Sequence, residues 1–106
     1  MRGGDHTPYW YIRQIKDEQE AKNLLEWYRQ RKLEALMFRN TFMHGYLVAS
    51  YAEDDVHCRA SREVGLRTFQ DGYLGFERLI ECLMYHELID AGTSTFGVEG
   101  SEQGKG

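Results

Sequence analysis

The sequence predicts an all-α fold, an antiparallel helical hairpin that assembles into a homo-oligomer. Three observations carry this expectation. Leu66, Phe69, Tyr73, Phe76, Ile80 and Leu83 step by three and four, the spacing of a packed helix. Leu33, Leu36, Asn40, Met43 and Leu47 repeat that spacing upstream. The single proline is Pro8, so no proline breaks either stretch.

Residues 1–8 and 92–106 are polar and glycine-rich, and are expected to be flexible ends on one helical domain over 9–91. Tyr9 to Ile15, YWYIRQI, reads as an edge strand or as an aromatic arm leading into the first helix. That helix is expected from about residue 16 to 51, with a kink near Gly45. Asp17, Glu18 and Glu20 suit its first turn, where the dipole favours anions. Ala21, Leu24, Leu25 and Tyr28 form its first apolar face. Asn40 either falls on the packing stripe, where a polar residue fixes register, or lies at its edge.

A short acidic connection follows, with Asp54 or Asp55 as a cap. The second helix is expected over about 55–90, with an interruption near Gly65 and a stop at Gly92. Gly65, Thr68, Gly72 and Gly75 form a second stripe almost without side chains. A glycine inside a helix costs about 1 kcal/mol relative to alanine. Such a stripe implies close approach of another backbone or room for a ligand. A lone hairpin buries too little to stand alone, hence the expected self-association.

Net charge is −4, which disfavours binding to duplex nucleic acid. The basic residues nevertheless cluster, Arg29, Arg31, Lys32 and Arg39 on one segment and Arg59, Arg62 and Arg67 on another. No apolar run is long enough to span a membrane, and Cys58 and Cys82 read as reduced thiols of a cytoplasmic protein. Cys82 and His86 have a spacing that suits zinc, but no CxxC pair supports a site, so no metal is expected. The chain has no GxSxG, no HExxH and no phosphate-binding loop ending in Lys-Ser or Lys-Thr. It reads as a non-enzyme without a cofactor. Tyr9, Trp10 and Tyr11, followed by Arg13, offer faces for base stacking and a guanidinium for phosphate, or else a staple onto the helices. Arg62, Arg67 and Thr68 border the glycine stripe and stand either beside a ligand or on a solvated surface.

Phe69-Gln70-Asp71-Gly72-Tyr73-Leu74-Gly75-Phe76-Glu77-Arg78-Leu79-Ile80 resembles the second helix of the phage cyclic-nucleotide sponges, the anti-CBASS and anti-Thoeris helical hairpins. Phe69-Gln70 stands for the family's Leu-Gln, Gly72-Tyr73-Leu74 for Gly-Phe-Met, and Phe76 and Arg78 for the later Leu and Arg. The family's threonine lies two places before that leucine; here Arg67 holds the place and Thr68 follows it. The resemblance implies a homo-oligomer, typically a hexamer, that sequesters cyclic di- or trinucleotides without cleaving them. It thereby suppresses anti-phage signalling in the cytoplasm of an infected bacterium. It also implies one pocket at Tyr11 with Lys22 or Arg29, and a second at Arg67, Thr68 and Gln70; the residues themselves add Arg13 beside Tyr11, and Gly72 on the stripe where a ligand could approach backbone. The alternative is a small acidic helical protein that inhibits or recruits a host protein by direct contact.

Overall fold

The computed structural model describes residues 7–67, 69–74 and 76–92. It overturns the helical hairpin. The chain runs β1 (Tyr9–Ile15), α1 (Glu18–Gln30), β2 (Glu34–Arg39), β3 (Tyr46–Ala52), α2 (Asp54–Val64), β4 (Phe69–Leu74), α3 (Phe76–Tyr85) and β5 (Glu87–Asp90). The strands form one five-stranded sheet in the order β4-β1-β3-β2-β5. Every pairing in it is antiparallel. The first six elements make two interlocked split-βαβ units, the ferredoxin-like arrangement. The pair α3 and β5 is added after that unit is complete. The expected terminal segments fall almost entirely outside the described residues.

Three layers result. On β1, β2 and β3 alternate residues point to opposite faces of the sheet. Ile15, Ala35, Met37, Val48 and Ala52 pack with Ala21, Leu24, Leu25, Trp27 and Tyr28 of α1 and Ala60 of α2. Trp10, Ile12, Leu36, Phe38, Leu47 and Ala49 pack on the other face with Leu79 and Cys82 of α3. Both faces being covered explains the run Ala35-Leu36-Met37-Phe38, in which all four residues are buried.

The start of α1 is as expected. Asp17 is its N-cap and accepts from the Glu20 amide at 2.9 Å, with Glu18 and Glu20 in the first turn. Its end is not. The Leu33 amide reaches back to the Tyr28 carbonyl and the Lys32 amide to that of Arg29, a Schellman motif. The left-handed residue it needs is Lys32, at φ 63°, rather than a glycine. The helix therefore stops seven residues before Met37, and the supposed continuation forms the β2–β3 hairpin.

Asn40 is no part of a helical stripe. Its Oδ1 accepts from the Phe42 and Met43 amides at 2.8 and 3.0 Å, and its Nδ2 donates to Gln14 Oε1 at 2.7 Å. It shapes the hairpin loop as an Asx turn. The strand β1 is central rather than an edge, flanked by β3 and β4. The predicted second helix is four elements, α2, β4, α3 and β5. Its first piece, α2, ends at Gly65 in the left-handed region, with φ 73°. Its glycine stripe dissolves, because Gly72 lies in a strand.

Candidate functional site

Among the described residues, three regions concentrate chemistry-bearing or unburied apolar side chains. The first lies between the sheet and α2. Tyr9, Tyr11 and Arg13 alternate along β1 toward this layer, Tyr28 enters from α1, Ser50 from β3 and His57 from α2. Tyr28 Oη and His57 Nδ1 lie 2.8 Å apart, and His57 Nε2 lies 3.2 Å from the Tyr9 carbonyl. With the ring proton on Nε2, that nitrogen donates to the carbonyl and Nδ1 accepts from the Tyr28 hydroxyl. Arg13 is 4% exposed; its Nη2 donates to the His57 carbonyl at 3.3 Å and its guanidinium sits 4.7 Å from the Tyr11 ring centre. Arg13 pairs with Asp71 in the β1–β4 ladder.

Burial dominates the titration here. It lowers the His57 pKa, helped by the charge of Arg13, and raises that of Tyr28. Tyr9 is raised by burial and by its 2.7 Å hydrogen bond to Asp54. A general base needs a nitrogen aimed at a substrate proton. Both His57 nitrogens already face protein groups, so the ring reads as part of an internal network.

The second region is the set of cations expected to hold phosphate. Arg29 donates to Asp90 Oδ1 at 2.9 Å and to the Ala35 carbonyl at 2.8 Å. Arg67 donates through Nε to Glu20 Oε2 at 3.2 Å, and its amide reaches the same carboxylate. Lys22 pairs with Glu18 one turn earlier on α1. Arg31 pairs with Glu63 and lies 3.8 Å over Trp27, and Arg39 pairs with Glu87. An open recess of about 510 Å³ lies beside Arg29, Lys32, Leu33, Glu34, Ala35, Ala91 and Gly92. Arg29 there is engaged by Asp90 and Ala35, which ties the end of β5 to α1 and β2.

The predicted ligand residues thus occupy separate places. Tyr11 and Arg13 are in the internal layer, Lys22 is on the surface of α1, and Arg29 is at the β5 end of the sheet. Arg67 joins the start of α1. Gln70 and Gly72 lie on β4, where Gln70 pairs with Gln14 in the ladder. Thr68 is outside the described residues. The segment that carries the family resemblance spans β4 and the first turns of α3 rather than one helix. Among the described residues, no three His, Cys, Asp or Glu side chains cluster to hold a metal ion, and no helix is long and apolar enough to cross a membrane. Cys58 and Cys82 are both free thiols, on helices that cover opposite faces of the sheet.

The third region was missed in the sequence. Only Leu79 and Cys82 of α3 are buried among its described side chains, whereas Ile80, Leu83, Met84 and Tyr85 are exposed. Leu88, opposite Phe38 of β2, continues this surface along β5. The β2–β3 loop joins it at the end of α3. Thr41 Oγ1 donates to the Tyr85 carbonyl at 2.7 Å, and the Phe42 and His86 rings meet edge to face at 5.2 Å. Phe42 is 73% exposed and Met84 66%. A signal was available. Leu79, Ile80, Cys82, Leu83, Met84 and Tyr85 occupy six of seven positions, too many for a helix with one buried face.

No protein-family model, no curated protein and no solved structure matches this chain.

Proposed function

We propose that the protein is a non-enzymatic interaction module that works by direct protein–protein contact through α3, β5 and the β2–β3 loop. The observation that carries this reading is the number of exposed apolar side chains on α3, Ile80, Leu83, Met84 and Tyr85, with Leu88 of β5 and Phe42 of the β2–β3 loop beside them. Monomeric proteins seldom leave a large connected apolar surface in water. In the internal Tyr28–His57 network both ring nitrogens are engaged by protein groups, which supports a contact function over a catalytic one.

Capture of cyclic nucleotides is the second reading. It uses Arg29 and Arg67 as phosphate ligands, and both are paired with carboxylates, Asp90 and Glu20. A ligand phosphate would have to displace those partners. Calorimetry of the whole chain against cyclic di- and trinucleotides separates the readings. Heat of binding that Arg67→Ala abolishes would restore nucleotide capture.

The docking reading is tested with a photo-crosslinking amino acid at position 84, and at position 22 as a control. Adducts at 84 and none at 22 support it. Equal yields at both positions, or none at either, remove it. Met84→Glu serves as the fold control, because a side chain this exposed contributes little to the core. Its melting temperature is expected within about 3 °C of the parent, as surface changes cost roughly 0.5 kcal/mol or less.

A further inference from the structure

The strand β5 is held differently from β1, β2 and β3. None of its four residues is buried: Glu87, Leu88 and Ile89 are exposed and Asp90 is half-buried. Its neighbour β2, by contrast, buries all four residues from Ala35 to Phe38. The pairing between the two strands joins Met37 to Asp90, Phe38 to Leu88 and Arg39 to Glu87, with a register shift between the first two pairs. Ala91 adds one small apolar contact beyond it. A segment that buries so little apolar surface stands at the low end of local stability.

The anchors of β5 are chiefly polar, and its two ends differ. At the start, the chain is pinned to the β2–β3 loop. Thr41 Oγ1 donates to the Tyr85 carbonyl at 2.7 Å and the Thr41 amide to His86 Nδ1 at 3.2 Å. Arg39 adds an ion pair to Glu87 at 3.0 Å on open surface. At the other end the contacts converge on Arg29 of α1. Its guanidinium donates to Asp90 Oδ1 at 2.9 Å, to the Asp90 carbonyl at 3.3 Å and to the Ala35 carbonyl at 2.8 Å. The Gly92 amide donates to the same Asp90 Oδ1 at 3.1 Å and turns the chain over the guanidinium. A Cβ on Gly92 would stand 2.5 Å from Arg29 Cζ, so the chain lies there only as glycine. The recess beside Arg29 is open, which gives dissolved ions access to this pair.

We infer that β5 is a strap, hinged at His86 and latched by Arg29, that opens from its Asp90 end while the other four strands stay paired. Opening bares the outer edge of β2 at Met37 and Phe38, a row of backbone donors and acceptors that a further strand can use. The latch is sensitive to salt. Ion pairs on the surface are screened as the Debye length falls from about 10 Å at 0.1 M salt to about 3 Å at 1 M. How β5 is held is independent of what touches α3, so the strap stands or falls apart from the docking reading.

Amide hydrogen exchange on the full chain, resolved by residue and compared at about 0.05 and 1 M sodium chloride, is the test. The amides that bond between β2 and β5 are expected to be at least about tenfold less protected than the β2 amides that bond to β3. High salt should lower their protection about two- to thirtyfold further, the range that two surface ion pairs allow, and leave the β3 side of β2 unchanged. Asp90→Ala removes the carboxylate and should lower the same protection about tenfold at low salt. Gly92→Ala pushes the guanidinium aside without removing a charge and should act in the same direction. Equal protection on the two edges of β2 overturns the strap, because β5 then opens only with the whole sheet. Weak protection at the β5 edge that neither salt nor either variant alters overturns the latch. Should a variant loosen both edges alike, the salt response of the parent chain decides.

Discussion

Tyr28 Oη lies 2.8 Å from His57 Nδ1, and this contact joins α1 to α2 across the sheet's inner layer. Few apolar side chains do that work on α2, where only His57 and Ala60 are buried. A polar ring fills the space, and it is acceptable there because both its nitrogens are satisfied. The bond also fixes its charge state. A neutral ring accepts from Tyr28 and donates to the Tyr9 carbonyl, whereas protonation would place a second cation beside Arg13.

Stability is therefore expected to fall on mild acidification. The folded-state pKa of His57 lies below its ordinary value of 6.5, chiefly through burial. Below about pH 6.5 the unfolded chain binds a proton that the folded chain does not, so stability decreases as pH drops toward the folded pKa. Above that range the ring is neutral in both states and contributes no slope. His86 is shifted in the same direction by burial and adds to the effect. Urea midpoints measured from pH 7.5 to 5 should show the decline. His57→Gln should flatten it without abolishing it, at a cost near neutral pH of about 1–3 kcal/mol for the disrupted network. An unchanged slope in that variant would exclude His57 as the source.

Lys32 is expected to be a stabilisation site. It holds the left-handed position of the Schellman motif at φ 63°, where a side chain costs roughly 1 kcal/mol or more. Its amide hydrogen bond to the Arg29 carbonyl is made by backbone and survives substitution. Lys32→Gly should raise stability by about 0.5–1 kcal/mol, the conformational gain less the added freedom of the unfolded chain. Chemical denaturation reads this directly. A loss of stability would mean that the lysine side chain holds more than the turn.

The same residue explains much of what the sequence concealed. The acidic start at Asp17, Glu18 and Glu20 and the face Ala21, Leu24, Leu25 and Tyr28 were legible, because a surface helix declares one apolar stripe. The stop was hidden, since the usual glycine is a lysine. Beyond it, β2 and β3 are buried on both faces, so they read as continuous apolar runs. Leu33, Leu36, Met43 and Leu47 match a helical period only by their spacing. Gly65 marked a true boundary and was weighed as an interruption. The short strand β4 was read as helix because Phe69 and Tyr73 continue the three-four steps. Of the candidate site, Tyr11, Arg13 and Arg29 were legible as residues with chemistry to offer. Their partners, His57, Tyr28 and Asp90, are distant in sequence and carry no local signal.

Two glycines should respond differently to alanine. A Cβ on Gly45 would stand 2.6 Å from Gln14 Nε2 and 3.0 Å from the Ile15 carbonyl, at φ +120°. One of those neighbours is backbone and cannot swing aside. At Gly65, with φ +73°, a Cβ would meet nothing within 4 Å. Gly65→Ala should therefore cost only the left-handed conformation, about 1–2 kcal/mol. Gly45→Ala should cost more, about 3 kcal/mol, with the hairpin loop displaced from β1. Equal losses in the two variants would contradict this placement of the β2–β3 loop.

The two cysteines provide a probe of α3. Cys58 is exposed on α2, whereas Cys82 is buried with Leu36 and Phe38 beneath α3. Burial, aided by Glu81, pushes the Cys82 thiol up to about 11. At pH 8 only about one thousandth of it is thiolate, and the thiolate is the reactive form. A disulfide reagent should modify one thiol quickly in the native protein and the second only on unfolding or when α3 lifts. Rapid modification of both thiols at low concentration would mean that α3 is not stably seated on the sheet.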